Sequence, residues 1–205
     1  MKRLILLLVA AWVLLGATPD TRQAYIEQYA PLAISEMQRT GVPASITLAQ
    51  ALVESGAGAS KLARYANNHF GIKCHGWQGE KYYKDDDLLH ECFRAFPSAE
   101  DSYRAHSDFL RDRSHYGSLF ELDPTDYKGW AHGLKKAGYA TDPRYADKLI
   151  KVIEDYQLYR YDALAIAGEP EAEQEPESEP EPEPLLDPVT PPAGYSESVV
   201  IRMGQ

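Results

Sequence analysis

The sequence predicts a mainly α-helical domain that carries one small β-hairpin lobe. Three features predict it. Apolar residues recur at helical spacing behind capping residues in several segments between Thr21 and Tyr159. One of these, running from near Ala44 to Glu54, reads as an amphipathic helix with Ile46, Ala49, Leu52 and Val53 as its buried stripe and Glu54 as its single acid. Between Cys74 and Cys92 the pattern changes to turn, strand, acidic turn, strand (HGWQGEKYYKDDDLLHE).

Taken in order, Met1 to Ala17 has the form of an export signal. Lys2 and Arg3 form a basic start, and the apolar run Leu4 to Leu15 is shorter than the ~18 residues that span a bilayer. Cleavage after Ala17 is the expectation, with an uncleaved anchor as the alternative. Either way the rest of the chain is expected in the periplasm or outside the cell. Asp20 or Thr21 caps the first helix, which Pro31 is expected to kink or restart. Gly41 ends it, and Pro43 suits the first turn of the next. A Gly/Ala/Ser turn after Glu54 leads to a short helix, then to the polar run Asn67-Asn68-His69-Phe70-Gly71. Ser98 with Glu100 and Asp101 opens a helix to about Asp112, with Tyr103, His106, Phe109 and Leu110 inward. Thr125 to Lys136 is a helix whose Trp130 and Leu134 face the core. Asp142-Pro143 opens the last long helix, with Leu149, Val152, Ile153 and Tyr156 inward. The sum is five or six helices and one hairpin.

The two cysteines are an even count in a chain expected to be exported, so a Cys74–Cys92 disulfide is the default. It would staple the lobe at its base and contribute roughly 3 kcal/mol on the chain-entropy view. A metal site is the alternative, since His75 and His90 adjoin the cysteines, but the spacing matches no usual zinc pattern. The Asp85-Asp86-Asp87 run lacks the alternating ligands of a calcium loop. No metal and no organic cofactor are expected.

Charge separates the chain into regions. The 205 residues carry −10; the first seventeen contribute +2 and residues 169–205 contribute −9, so residues 18–168 hold −3. That mild acidity gives no basic face for nucleic acid. Glu169 to Pro184 (EPEAEQEPESEPEPEP) has eight Glu and no base, too polar to fold on itself and stiffened by proline. The expected organisation is a signal over 1–17, a folded domain over 18–165 and a Pro/Glu-rich disordered tail over 166–205. The folded domain is expected to be a monomer, and the tail is a candidate for contact with an envelope protein.

Glu54 is the centre of chemical interest. A carboxyl at an apolar helix end beside a glycine-containing turn loses solvation, which raises its pKa and suits it to general-acid work near neutral pH. The plainer reading is a solvated glutamate. The run ALVESGAGASKLARYANNHFGIKCHGW, with YAPLAISEMQRTGVPASITLAQ before it and FRAFPSAEDSYRAHSDFL and KKAGYATDPRYADKLIKVIEDYQL after it, resembles the glucosaminidase domain of glycoside hydrolase family 73. The resemblance covers roughly Ala24 to Tyr159 in the family's order. It implies a lysozyme-like α fold and hydrolysis of peptidoglycan glycan strands between N-acetylglucosamine and N-acetylmuramic acid.

It also implies roles. The family's catalytic glutamate falls on Glu54. Its second carboxylate sits on a mobile lobe, where Glu91 in HECFRAF matches, with Glu80 and the lobe aspartates as lesser candidates. Some members of the family do not depend on that carboxylate, and there the substrate's N-acetyl group serves as nucleophile. Tyr139 in AGYATDPRYA falls near the reacting sugar; its alternative is a core tyrosine. Asn68 and Phe70 belong to the groove floor, although Asn68 also suits a structural role satisfying buried backbone. From chemistry alone, Trp77 is a candidate for stacking on a hexose, and Tyr82, Tyr83 and Tyr116 could extend that platform, whereas Trp130 reads as core. Two other functions compete. Lysozyme-type muramidases and lytic transglycosylases share the helix-to-Glu-Ser start but continue with a Gly-Leu-Met-Gln-like phrase, where this chain has Asn-Asn-His-Phe-Gly-Ile-Lys. A non-catalytic glycan-binding module is the other, and Glu54 together with Glu91 argues against it.

Overall fold

The structure, a computed structural model, describes residues 20–84 and 91–168. The expected signal at Met1–Ala17, the Asp85-Asp86-Asp87 turn, His90 and the tail from Glu169 lie outside the described residues. Seven α-helices, a 3-10 segment and one antiparallel hairpin follow one another as α1 Thr21–Thr40, α2 Ala44–Ser55, α3 Lys61–Ala66, β1 Lys81–Lys84, β2 Glu91–Arg94, α4 Ala99–Arg111, the 3-10 segment Ser114–Glu121, α5 Tyr127–Lys136, α6 Tyr145–Asp155 and α7 Tyr159–Ala167.

Helix α2 is the axis of the molecule. Ten of its twelve residues are buried, and α1, α5, α6 and α7 all pack on it. The expected amphipathic stripe is therefore a helix enclosed almost all round. Its small residues, Ala44, Ser45, Ala49 and Ala51, let neighbouring helices approach closely and leave few positions for solvent. It stops where Gly56 takes a left-handed conformation, φ 59°, and returns its N–H to Leu52 O.

Helix α1 starts as expected, with the Asp20 side chain accepting from Arg22 N at 3.0 Å. Pro31 neither breaks nor restarts it: one helix runs through Thr21–Thr40. Pro31 and Glu27, whose carbonyl loses its donor, are both exposed, so water can satisfy that carbonyl. Ser98 caps α4 by accepting from Asp101 N at 3.1 Å. The helix expected from Asp142 begins at Tyr145, because Asp142 uses its side chain to accept from Arg144 N in a preceding turn. Two elements exceed the expected five or six helices: the 3-10 segment and α7. Helix α7 begins inside the expected folded domain, where no helix had been expected, and ends at Ala167, past the expected boundary at 165. It packs on α1 and α2 through Tyr161, Asp162 and Ala165. Trp130 is core as expected, 1% exposed and edge-on to Phe120.

In the lobe, Lys81 pairs with Arg94, Tyr82 with Phe93, Tyr83 with Cys92 and Lys84 with Glu91. Cys74 and Cys92 form the disulfide, with Cα atoms 5.5 Å apart. Cys74 N also donates to Cys92 O at 3.0 Å, so the bridge and a backbone bond close the lobe's base together. Both sulfurs are thereby consumed and cannot ligate a metal.

Candidate functional site

The end of α2 sets the direction of Glu54. Ser55 turns inward, its hydroxyl donating to Ala51 O at 2.6 Å and accepting from Gly58 N at 2.7 Å. Its neighbour Glu54 then emerges from an otherwise enclosed helix into a groove of about 580 Å3. Phe70, Ile72 and His106 line one part of the groove, Tyr139 and Tyr145 another, and Lys73 and Phe93 bring the lobe to its edge.

The carboxyl is accessible along the groove, yet the surrounding walls displace enough water to raise its pKa above the ordinary glutamate value. Two smaller effects pull the other way: a hydrogen bond from Tyr145 and the charge of Lys148. The Tyr145 hydroxyl donates to Glu54 Oε1 at 3.0 Å. That direction is set from behind, because Gln50 Nε2 donates to the Tyr145 oxygen at 3.0 Å and leaves the phenolic proton for Glu54. Gln50 in turn accepts through Oε1 from His106 Nε2 at 3.0 Å. His106 is fully buried, and burial lowers its pKa to about 3, so it is a neutral ring that holds its proton on Nε2. The His106–Gln50–Tyr145 chain thus delivers one oriented donor to one carboxylate oxygen. Lys148 is shared with Asp142, which lines the same groove.

The structure brings three of the expected site residues together: Glu54, Tyr139 and Phe70 share the groove. Tyr139 stacks on Tyr145, centroids 5.7 Å apart, and burial with the nearby Glu54 charge holds its phenol well above the ordinary range. Phe70 stacks on His106 at 4.0 Å. Asn68 takes the structural alternative. It donates to Ile72 O and Arg94 O and accepts from Ile72 N, tying the groove floor to β2 with its side chain fully used. Glu91 stands on the exposed lobe, paired with Lys73 Nζ at 2.9 Å, and Lys73 rather than Glu91 lines the groove. Trp77 lines a different hollow, beneath Arg94. Tyr116 is buried against Phe109 and Tyr139 and offers no open face. Tyr82 and Tyr83 lie on β1, outside the groove.

Sequence reasoning passed over Gln50, His106 in its site role, Tyr145 and Lys148. Two signals were available. Gln50 lies four residues before Glu54, on the same helix face, and is a polar residue inside an apolar run. Tyr145 and Lys148 are three apart at the start of α6, hence on one face as well.

Comparison with known proteins follows the same lines. The glucosaminidase family model, described as mannosyl-glycoprotein endo-beta-N-acetylglucosaminidase, matches residues 30–158. The peptidoglycan hydrolase FlgJ of Vibrio cholerae is 31% identical over 70% of this chain and 47% of its own length. The exo-glucosaminidase LytG of Bacillus subtilis is 33% identical over 70% of this chain and 54% of its own. The chain thus spans about half the length of these curated relatives. Among solved structures, the catalytic domain of the autolysin Auto from Listeria monocytogenes superimposes with a TM-score of 0.62 at 29% identity, covering 72% of this chain and 91% of that domain.

Proposed function

The chain belongs to the glucosaminidase family, glycoside hydrolase family 73, and from that premise we propose that it is a peptidoglycan hydrolase of the cell envelope. The bond cut is the β-1,4 link from N-acetylglucosamine to N-acetylmuramic acid. The observation that carries this reading is Glu54: a carboxyl of raised pKa, held by one phenol, at the floor of an open groove.

Breaking a glycosidic bond requires a proton on a poor leaving group as positive charge grows at the sugar's anomeric carbon. Protonated Glu54 supplies that proton. The Tyr145 bond then stabilises the carboxylate that remains, and it strengthens as the negative charge appears, so it favours the transition state over the ground state. Tyr139, which lines the groove with Glu54, is the donor of a hydrogen bond to the sugar's N-acetyl group in this reading. Substrate assistance by that group is favoured by the acid inventory of the groove: besides Glu54, the described lining contains Asp142, already bound to Lys148. In this reading the N-acetyl oxygen attacks the anomeric carbon, and water later opens the cyclic intermediate, returning a proton to Glu54. Glu91, on the lobe, is the alternative second carboxylate, reaching the groove by release from Lys73.

The test is mass spectrometry of the products after purified peptidoglycan is digested with the full chain and with Glu54→Gln. Fragments ending in reducing N-acetylglucosamine, absent with the variant, are expected. Reducing or anhydro muramic acid ends would sink the assigned bond in favour of a muramidase or transglycosylase. Retention on the wall without any cleavage would leave a binding module.

A further inference from the structure

The roomier hollow of the domain is not the one that holds Glu54. It encloses about 870 Å3 and shares a wall with the Glu54 groove, since Phe109 lines both. Three arginines line it, and two of them, Arg94 and Arg113, are held over an aromatic ring. The Arg94 guanidinium lies 4.8 Å from the Trp77 ring centre, and that of Arg113 lies 3.9 Å from Phe109. Neither has an ion-pair partner among the described residues, and Arg94 Nε is buried without a hydrogen-bond acceptor. Both guanidinium groups line the one hollow, where burial lowers the Arg94 pKa and the charge of Arg113 lowers it further. A carboxylate between them would relieve both, and stacking on the rings leaves the guanidinium edges free to bind it.

Acids line the same hollow, and they are of two kinds. Asp108 is neutralised from behind by Arg39 at 2.7 Å, and Asp101 takes the Ser98 hydroxyl at the start of α4. Glu80 and Asp112 are exposed and have no ion-pair partner among the described residues. The hollow therefore offers charge of both signs without an ion-pair partner among the described residues, which sugar hydroxyls can hydrogen-bond but not neutralise. A short peptide with carboxylates and a free amine can.

We propose that this hollow binds the peptide arm of the wall strand, a short zwitterionic peptide, with a carboxylate between Arg94 and Arg113 and its amine toward Glu80 and Asp112. The inference rests on the peptidoglycan reading above. A strand lying along the Glu54 groove would send its peptide substituent over Phe109 into the hollow, so one ring separates the sugar site from the peptide site.

The probe is a synthetic tetrapeptide with two free carboxylates and one side-chain amine, titrated against the full chain by calorimetry at low and high salt. Saturable binding is expected, weakened about tenfold by Arg113→Ala and by Arg94→Gln, and weakened also by salt. Arg113 lies off the lobe, so its variant separates loss of contact from any loosening of the hairpin. In parallel, the ratio of cleavage rates on peptide-bearing and peptide-free strands should favour the former and fall toward one in both variants. Absence of tetrapeptide binding, or binding indifferent to both arginines, overturns the proposal. Arginine-dependent peptide binding in a chain that cuts no strand would uphold the site and remove the hydrolase reading. Cleavage without peptide binding or peptide selectivity would do the reverse.

Discussion

Helix α2 has a carboxyl at each end, and the two have opposite fates. At its N-terminus, Asp162 from α7 is fully buried and accepts from Ser45 N at 2.8 Å. In its last turn, Glu54 opens into the groove and accepts from a phenol. Burial raises the pKa of both, that of Asp162 to about 6. The helix dipole separates them. Asp162 meets the positive end, where backbone N–H groups need an acceptor; Glu54 sits at the negative end, where ionisation is opposed. One carboxyl therefore completes a helix and is sealed from substrate. The other is kept near its proton and left accessible. Burial by itself does not suit a carboxyl to general-acid work; burial combined with an open groove does.

The largest test of that contrast is exchange of function for stability at the two ends. Glu54→Gln keeps an acceptor for Tyr145 but has no acidic proton, so turnover of wall fragments should fall about a thousandfold while the melting temperature stays close to that of the parent. Asp162→Ala should do the opposite, costing about 2 kcal/mol in denaturant unfolding by orphaning the start of α2, with activity per folded molecule retained. Equal loss of activity from both would erase the distinction.

A smaller effect is expected from Tyr145→Phe. It removes the bond that lowers the Glu54 pKa, so the alkaline limb of the kcat/KM profile should move to higher pH. Loss of carboxylate stabilisation in the transition state should cost about tenfold in kcat. Gln50→Leu should move the limb the same way, by releasing the Tyr145 hydroxyl from its fixed direction. A limb that stays put in both variants would disconnect the relay from Glu54.

The smallest is the pH dependence of stability at the Asp162 end. Its folded pKa of about 6 lies above the ordinary carboxyl value of 3.8. The folded state therefore binds the proton first, and this stabilisation is present below the ordinary value and lost as pH rises through the folded one. Between those limits the parent should gain about 1.4 kcal/mol per pH unit over Asp162→Asn on acidification. His69 and His106 act with the opposite sign. Burial lowers their pKa values to about 4 and about 3, so acidification below the ordinary histidine value favours the unfolded chain. Unfolding of the two proteins followed across this range should show the parent losing stability relative to the variant as pH rises. A constant difference would mean that Asp162 is not titrating there.

Much of the fold was legible because its signals are local. Asp20 and Ser98 cap the helices they were expected to cap, and Cys74 bonds to Cys92 across the hairpin. Pro31 misled because its cost depends on whether the carbonyl it strips faces solvent, which no local pattern states. Helix α7 was missed because its exposed Leu164 and Ile166 blur the apolar period. What holds it is Asp162 reaching a backbone donor 117 residues earlier.

At the site, Glu54 was readable from an apolar helix that ends in a glycine turn, and Phe70 and Tyr139 from their family phrases. The surroundings that tune Glu54 come from long-range packing. Gln50 meets His106 from 56 residues away and Tyr145 from 95, and Tyr145 meets Glu54 from 91. Those bonds exist because α2, α4 and α6 converge in one core, and a hydrogen bond requires distance and direction that spacing along a chain cannot encode. For the same reason the structure turned Asn68 inward, enclosed Tyr116 and set Trp77 in a separate hollow, although all three side chains had a claim to the groove as residue types.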